Sequence, residues 1–480
     1  MKNYFISLFV ALLVSSTSCE SMVDDLNVNP NNPTDASADL MLTGVQLANI
    51  TVHEGHTDRV AGMWSGYFTG IARQYPDFSS YNANGATFDQ VWQNVYAGVV
   101  QNGNVLISKA EMVNNQLLMG ITKVMQAHAL QVAASCWGDV PFSQTADIEE
   151  YPNPVFDAQT DVYAGVQQLL DEAIAMLESG IGSSPEGADI HFGGNAAPWI
   201  EVAYTLKARA YLETKDYSAA YEAAQRGISL PENSLMAPHG TVNGGNRNLM
   251  NDFLAGGRAG DMSSQNAYIT QVLSPVAPLY KGNAKTDESA RFHYYFLNTE
   301  DFEEITPNTS SAEESRGIYA IDASFPLVTY QENLLILAEA AARAVSAEEG
   351  LVRLNAFREY MNGGGYIDPT YLVENAYQYA PYTAEDFVPG GIANAGEFSQ
   401  DEALLHEILR ERYVTFFGQK QGFSDIRRTR NESFGVHPPP TAGNSLPERF
   451  IYSQSEINSN TNAPSPVPGI FEVTPINQTQ

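Results

Sequence analysis

The stretch Ser399–Arg430, SQDEALLHEILRERYVTFFGQKQGFSDIRRTR, constrains the fold more than any other part of the chain. Ser399 followed three residues later by Glu402 is a capping box, so a helix is predicted to begin there. Leu405, Ile408, Leu409, Tyr413, Phe416 and Phe417 recur at helical spacing and make one apolar face, and Gly418 is the natural stop. Glu407, Arg410, Glu411 and Arg412 ride on this same helix. Arg427, Arg428 and Arg430 follow it, with Arg449 just beyond. The chain holds 25 basic against 56 acidic residues, a net charge of -31. Arginines in so acidic a protein are expected to pair with carboxylates where helices pack, using their fixed fork of donors. Arg410, Arg412, Arg427 and Arg428 are assigned to such pairs. The alternative for them is an anion site.

The same charge balance excludes whole classes of function. Nucleic acid requires a basic footprint, and so does docking on anionic lipid. At 480 residues and 44% hydrophobic content the chain can bury a large core, and length alone would allow two or three domains. Cys19 and Cys136 are the only cysteines, so no disulfide framework supports the fold. Lys2, the apolar run Tyr4–Val14 and the small residues Ser15–Ser18 form a secretory signal over residues 1–18, too short in its apolar part to span a bilayer. Residues 19–37 then read as an acidic and Pro/Asn-rich tether carrying Glu20, Asp24 and Asp25. One domain is predicted over 38–480.

Helix follows helix along that domain. Val60, Met63, Trp64, Tyr67, Phe68 and Ile71 form one apolar face; Phe88, Val91, Trp92, Val95, Tyr96 and Val99 form another. Trp64, Tyr67 and Trp92 are therefore assigned to the core. Further helices are predicted over 121–136, 161–178, 330–345 and 348–360. Residues 198–214 and 217–230 form a hairpin whose alanines permit close approach, similar to a tetratricopeptide unit but without a fixed 34-residue period. Near 231–329 and 361–398 the helical period fades, and long irregular insertions of this kind are usually functional or disordered.

Local signatures of catalysis are absent. His53-Glu54-Gly55-His56 lacks the i, i+4 histidine spacing of a zinc helix. Neither a phosphate loop nor a nucleophile elbow is present. Cys136 reads as a packed thiol. What remains is binding by aromatic rings on irregular loops, which can stack on sugar rings while polar neighbours bond the hydroxyls. By subtraction from the helical stripes, the predicted ligand site comprises Arg73, Tyr75, Asp77, Phe78 and Tyr81 in one stretch, with Tyr366, Tyr377, Tyr379 and Tyr382 in the other. Packing under their own loops, or against a partner, is the alternative for these rings.

Four segments also carry a family resemblance. ILRERYVTFFGQKQGFSDIRRTR resembles the closing helix and Arg-Arg motif of the SusD/RagB family of outer-membrane nutrient-binding lipoproteins. ASCWGDVPF (134–142) resembles its aromatic-Gly-Asp-x-Pro turn, QENLLILAEAAAR (331–343) its Glu…Leu-Ala-Glu-Ala helix, and RFIYSQSEINSN (449–460) its closing signature. The resemblance implies an all-α, SusD-like helical fold with tetratricopeptide-like hairpins and long loop insertions. It further implies lipidation at Cys19, whose position after the small residues resembles a lipobox, and tethering to the outer membrane facing the cell exterior. The implied task is capture of oligosaccharides without turnover, for delivery to a SusC-like TonB-dependent transporter. No cofactor is implied. Peptide capture is the alternative within binding proteins, and a secreted glycoside hydrolase or a tetratricopeptide scaffold the alternatives outside them.

Overall fold

A computed structural model describes residues 36–145 and 148–478. The signal segment, Cys19 and the tether up to residue 35 lie outside the described residues. The described chain is all-α with only short strands, as the helical periodicities predict. Helix α1 (Ala38–His53) begins where the Ser37 hydroxyl accepts the Leu40 N–H at 3.3 Å. There follow α2 (His56–Trp64), α3 (Asn102–Met112), α4 (Gln116–Trp137), α5 (Gln159–Glu178), α6 (Ala196–Glu213) and α7 (Tyr217–Ala224). After the irregular region come α8 (Tyr330–Ala344), α9 (Ala347–Asn362), α10 (Gln400–Thr415), α11 (Lys420–Arg428) and α12 (Gln454–Ser459).

From α3 to α7 each helix packs on the next, α7 packs on α8, and α8 on α9, giving a layered array of helical pairs. The predicted close approach of the 198–230 hairpin is seen in a buried cluster of Ala208, Ala220, Ala224, Ile336 and Ala340. Its second helix stops at Ala224 rather than Leu230. The Asn333 amide explains this, donating to the carbonyls of Ala224 (3.0 Å) and Ile228 (3.1 Å), a cap supplied by tertiary structure that local sequence does not announce. The apolar face predicted over Val60–Ile71 is likewise cut short. Helix α2 ends at Trp64, Gly66 takes a positive φ of 73°, and Tyr67 and Phe68 fold back into the core. The two irregular regions are tied down by two-stranded antiparallel ribbons, among them Thr69–Gly70 with Met262–Ser263 and Thr286–Asp287 with Gln378–Tyr379.

Helix α10 packs on α8, α9 and α11. Its Ser399–Glu402 capping box forms as predicted. Arg412 donates through Nε to Asp425 Oδ2 at 2.9 Å, and Arg428 grips both oxygens of Glu339 at 2.6 Å each while its Nε donates to Asp425. Glu339, fully buried, would be raised by burial alone. The Arg428 and Arg343 guanidiniums outweigh that and hold its carboxyl well below the usual carboxylate range. Two of the four assigned pairs are corrected. Arg427 spends its donors on the carbonyls of Ser135 (2.7 Å) and Glu448 (3.0 Å), so backbone rather than carboxylate receives it. Arg410 lies at the edge of the helix and donates to the Leu279 carbonyl at 3.2 Å.

Candidate functional site

The stretches predicted to bind ligand fold differently from the expectation. Tyr75 is 2% exposed, Phe78 9% and Tyr81 6%. Residues Tyr75–Ser79 form a single helical turn with Pro76 at its start, which is too short to display a period. That turn packs Tyr75 against Phe253 (ring centroids 5.0 Å apart) and Phe78 against His56 (5.3 Å). The Tyr81 hydroxyl accepts the Thr441 N–H at 2.8 Å. Arg73 and Asp77 remain exposed, Arg73 paired with Asp261 at 2.7 Å.

In the second stretch Tyr379 and Tyr382 are also core, at 1% and 2% exposure. Arg358 lies 3.8 Å over the Tyr382 ring, and the Tyr379 hydroxyl donates to Glu288 at 2.7 Å. Buried cations thus take the rings for which no helical stripe is available. Tyr366 and Tyr377 are half-buried, the first bonded to Arg291 and Tyr295, the second to the Asn362 carbonyl. The correction is therefore specific: Tyr75, Phe78, Tyr81, Tyr379 and Tyr382 are structural rings. Tyr75, Phe78 and Tyr81 belong to the main core cluster, while Tyr379 and Tyr382 belong to two smaller ones.

A different surface brings aromatic and polar groups together. Residues 89–112 run without a break from α-helix through a π-helical segment, Asn94–Gln101, into α3. The wider π turn keeps Val95, Val99 and Val100 buried while Tyr96 is half-buried and Ala97 exposed. Opposite stand the turn after α4 and the proline-rich segment Tyr151–Pro154, and the third wall is α12. The cleft between them has a volume of about 280 Å³, just below the range of roughly 300 Å³ where small-molecule pockets begin. Trp92, Tyr96, Tyr151, Pro141, Pro152 and Pro154 supply its apolar walls, and Gln101, Gln144, Glu456 and Asn460 its polar groups.

These walls are fixed by a bonded frame. The Tyr96 hydroxyl donates to the Pro141 carbonyl at 3.0 Å, and Trp92 Nε1 donates to Glu456 Oε2 at 3.3 Å. Asn460 bridges two walls, donating to the Pro154 carbonyl at 2.8 Å and to Glu456 Oε1 at 2.7 Å. Beneath them the Tyr452 hydroxyl, pushed up to about 12 by burial, donates to the Asp139 carbonyl at 2.6 Å. Fixed rings with amide and carboxylate groups at their edges can bind a sugar by stacking and hydroxyl bonding. The core assignment of Trp64, Tyr67 and Trp92 holds, yet one edge of Trp92 reaches this cleft. Tyr151, Gln101 and Asn460 escaped sequence reasoning. The signals available for them were the Tyr-Pro-Asn-Pro run and the closing signature.

Among the described residues no helix is long and apolar enough to cross a membrane, and no cluster of three or more His, Cys, Asp or Glu could hold a metal ion. Cys136 is buried, and burial pushes its thiol up to about 12, which fits a packed side chain.

Solved structures share this architecture. A SusD/RagB family protein from Bacteroides thetaiotaomicron is 19% identical, with a TM-score of 0.64 over 89% of this chain and 95% of its own. A SusD homolog from Bacteroides fragilis is 20% identical, with a TM-score of 0.63 over 92% and 99%. A chitin-binding SusD homolog from Flavobacterium johnsoniae is 15% identical, with a TM-score of 0.62 over 88% and 92%. At these identities the likeness speaks for the fold. Among curated proteins nothing matches the sequence. Residues 30–453 match the family model described as starch-binding and associating with the outer membrane, and the chain belongs to that SusD-like family.

Proposed function

We propose that this protein is a surface lipoprotein that captures oligosaccharides without turnover in the cleft lined by Trp92, Tyr96 and Tyr151, and delivers them to a SusC-like TonB-dependent transporter. The observation that carries the reading is the cleft itself, in which aromatic and proline faces stand beside Gln101, Glu456 and Asn460. A chain with a net charge of -31 suits neutral sugars, since anionic ligands meet an unfavourable field. Family membership supports glycan binding and outer-membrane association, and the chitin-binding homolog names one glycan to try first. Anchoring is assigned to a lipidated Cys19.

Calorimetry of the mature chain with chitotriose and with maltotriose tests this reading. Tyr151→Ala and Gln101→Ala should each weaken binding, the ring truncation by about 1 kcal/mol, roughly fivefold, with the unfolding midpoint unchanged. Equal affinity in wild type and both variants, or release of shorter sugars during incubation, would remove the cleft or the binding-only role.

A further inference from the structure

Among the described residues that line the aromatic cleft, Glu456 is the one charged side chain, and no Lys, Arg or His stands with it. Its place in the helix offers it another partner. Helix α12 is capped by Ser453, whose hydroxyl accepts the Glu456 N–H at 3.4 Å. A glutamate at that position commonly reaches back to the N-cap N–H and closes a capping box, as Glu402 does with Ser399 at the start of α10. At α12 the carboxylate turns into the cleft instead. Its Oε2 accepts Trp92 Nε1 at 3.3 Å and its Oε1 accepts Asn460 Nδ2 at 2.7 Å.

Those two bonds fix the carboxylate without using it up. Both donors are neutral, so nothing lining the cleft compensates the charge. A carboxylate offers about four acceptor positions on its two oxygens, which leaves about two for a ligand. Glu456 is half-buried, so a ligand can reach it, and it stands beside the Trp92 and Tyr96 rings, whose centroids are 4.7 Å apart. Apolar walls of this kind focus the field of the single charge. A sugar hydroxyl or an acetamide N–H would bring one neutral donor to it. A protonated amine brings three donors and the opposite charge, and charge-assisted bonds are roughly twice as strong as neutral ones.

We propose that Glu456 makes the cleft selective for amino sugars, in the form of a hexosamine unit whose protonated 2-amino group pairs with the Glu456 carboxylate while its ring lies against Tyr96 and Tyr151. The proposal rests on the saccharide reading of the cleft and adds a charge requirement to it: the glycan served by the protein carries free amines. The field of a chain with a net charge of -31 acts in the same direction, drawing cationic sugars in as it turns anions away.

Chitotriose and its fully deacetylated counterpart, the glucosamine trimer, are the probes, since they share a backbone and differ in acetamide against amine at C2. In calorimetry of the mature chain at pH 6, where the amines are protonated, the glucosamine trimer should bind about tenfold more tightly. The preference should shrink as salt is added and vanish at pH 9, where the amines are neutral. Glu456→Gln keeps the shape of the side chain and should remove most of the preference. Glu456→Asp, which draws the carboxylate back by one methylene, should lose part of it and is read instead if Glu456→Gln fails to fold. Glu303→Gln removes the same charge from an exposed position outside the cleft and should leave the preference unchanged, which separates contact from the field of the whole chain. Tyr151→Ala should weaken both trimers in parallel. Equal affinities in wild type, a preference that survives the Glu456 variants, or an equal fall in Glu303→Gln overturns the proposal, while chitotriose binding that responds to Tyr151→Ala would still uphold the cleft. A trilysine peptide that binds as tightly as the glucosamine trimer also overturns it, in favour of peptide capture. Binding of neither trimer, nor of maltotriose, would sink the saccharide reading itself.

Discussion

Asp58 sits where burial and charge pairing pull in opposite directions. It is fully buried and accepts a bond from Lys420 Nζ at 2.7 Å. Its second oxygen, Oδ2, has no partner. Burial raises its pKa from 3.8 to about 6, with Lys420 offsetting only part of the cost. The folded state therefore holds this proton more tightly than the unfolded chain. The contribution of Asp58 to stability is fully present below about pH 4 and is lost as pH rises through about 6. A gap of about two pH units corresponds to about 3 kcal/mol. Denaturant unfolding of wild type and Asp58→Asn at pH 4, 5, 6 and 7 isolates it, because groups common to both proteins cancel. The stability of the variant relative to wild type should rise by up to that amount across the range. A flat or falling difference would show that Lys420, not burial, sets the ionisation of Asp58.

The junction of α8, α10 and α11 shows how elements are locked together. Arg428 spans from α11 to Glu339 on α8, and Arg412 on α10 reaches Asp425 on α11. Removing one member of such a buried set strands its partner, so Arg428→Ala should cost about 3–5 kcal/mol. Arg410→Ala, at the edge of the same helix, should stay within about 0.5 kcal/mol of wild type. Urea unfolding of both variants checks the contrast, and equal midpoints would refute it. The sequence made this junction partly legible: capping box, helix and acid-rich background pointed to Arg412 and Arg428. It misassigned Arg427 to a carboxylate, because a carbonyl receptor such as Ser135 leaves no trace in composition. The same limit governs the site. Tyr75 and Phe78 follow no helical period because their helix is one turn long, and Tyr379 and Tyr382 are claimed by Arg291 and Arg358, distant in sequence. The aromatic cleft is assembled from the π-helical segment, the Tyr151–Pro154 run and α12, and only their meeting in space reveals it.

For the whole molecule, the question is what could hold so acidic a protein at a membrane. A net charge of -31 repels anionic lipid, which would favour attachment only through a basic surface. No described helix is suited to crossing a bilayer. The Ala36 carbonyl accepts a bond from Lys109 Nζ at 3.0 Å, which pins the chain ahead of α1 to α3. The residues between Cys19 and that point are sufficient for a tether, and several acyl chains on Cys19 would give stable anchoring where a single chain is marginal. Cys19→Ala should therefore move the protein from the membrane fraction to the soluble fraction. The experiment belongs in cells that lack the partner transporter, because a docked partner would retain the protein by itself. Fold integrity of the variant is checked by its unfolding midpoint, which should match that of wild type. Membrane attachment that persists in those cells after Cys19→Ala would mean that the folded domain, not the lipid, makes the contact.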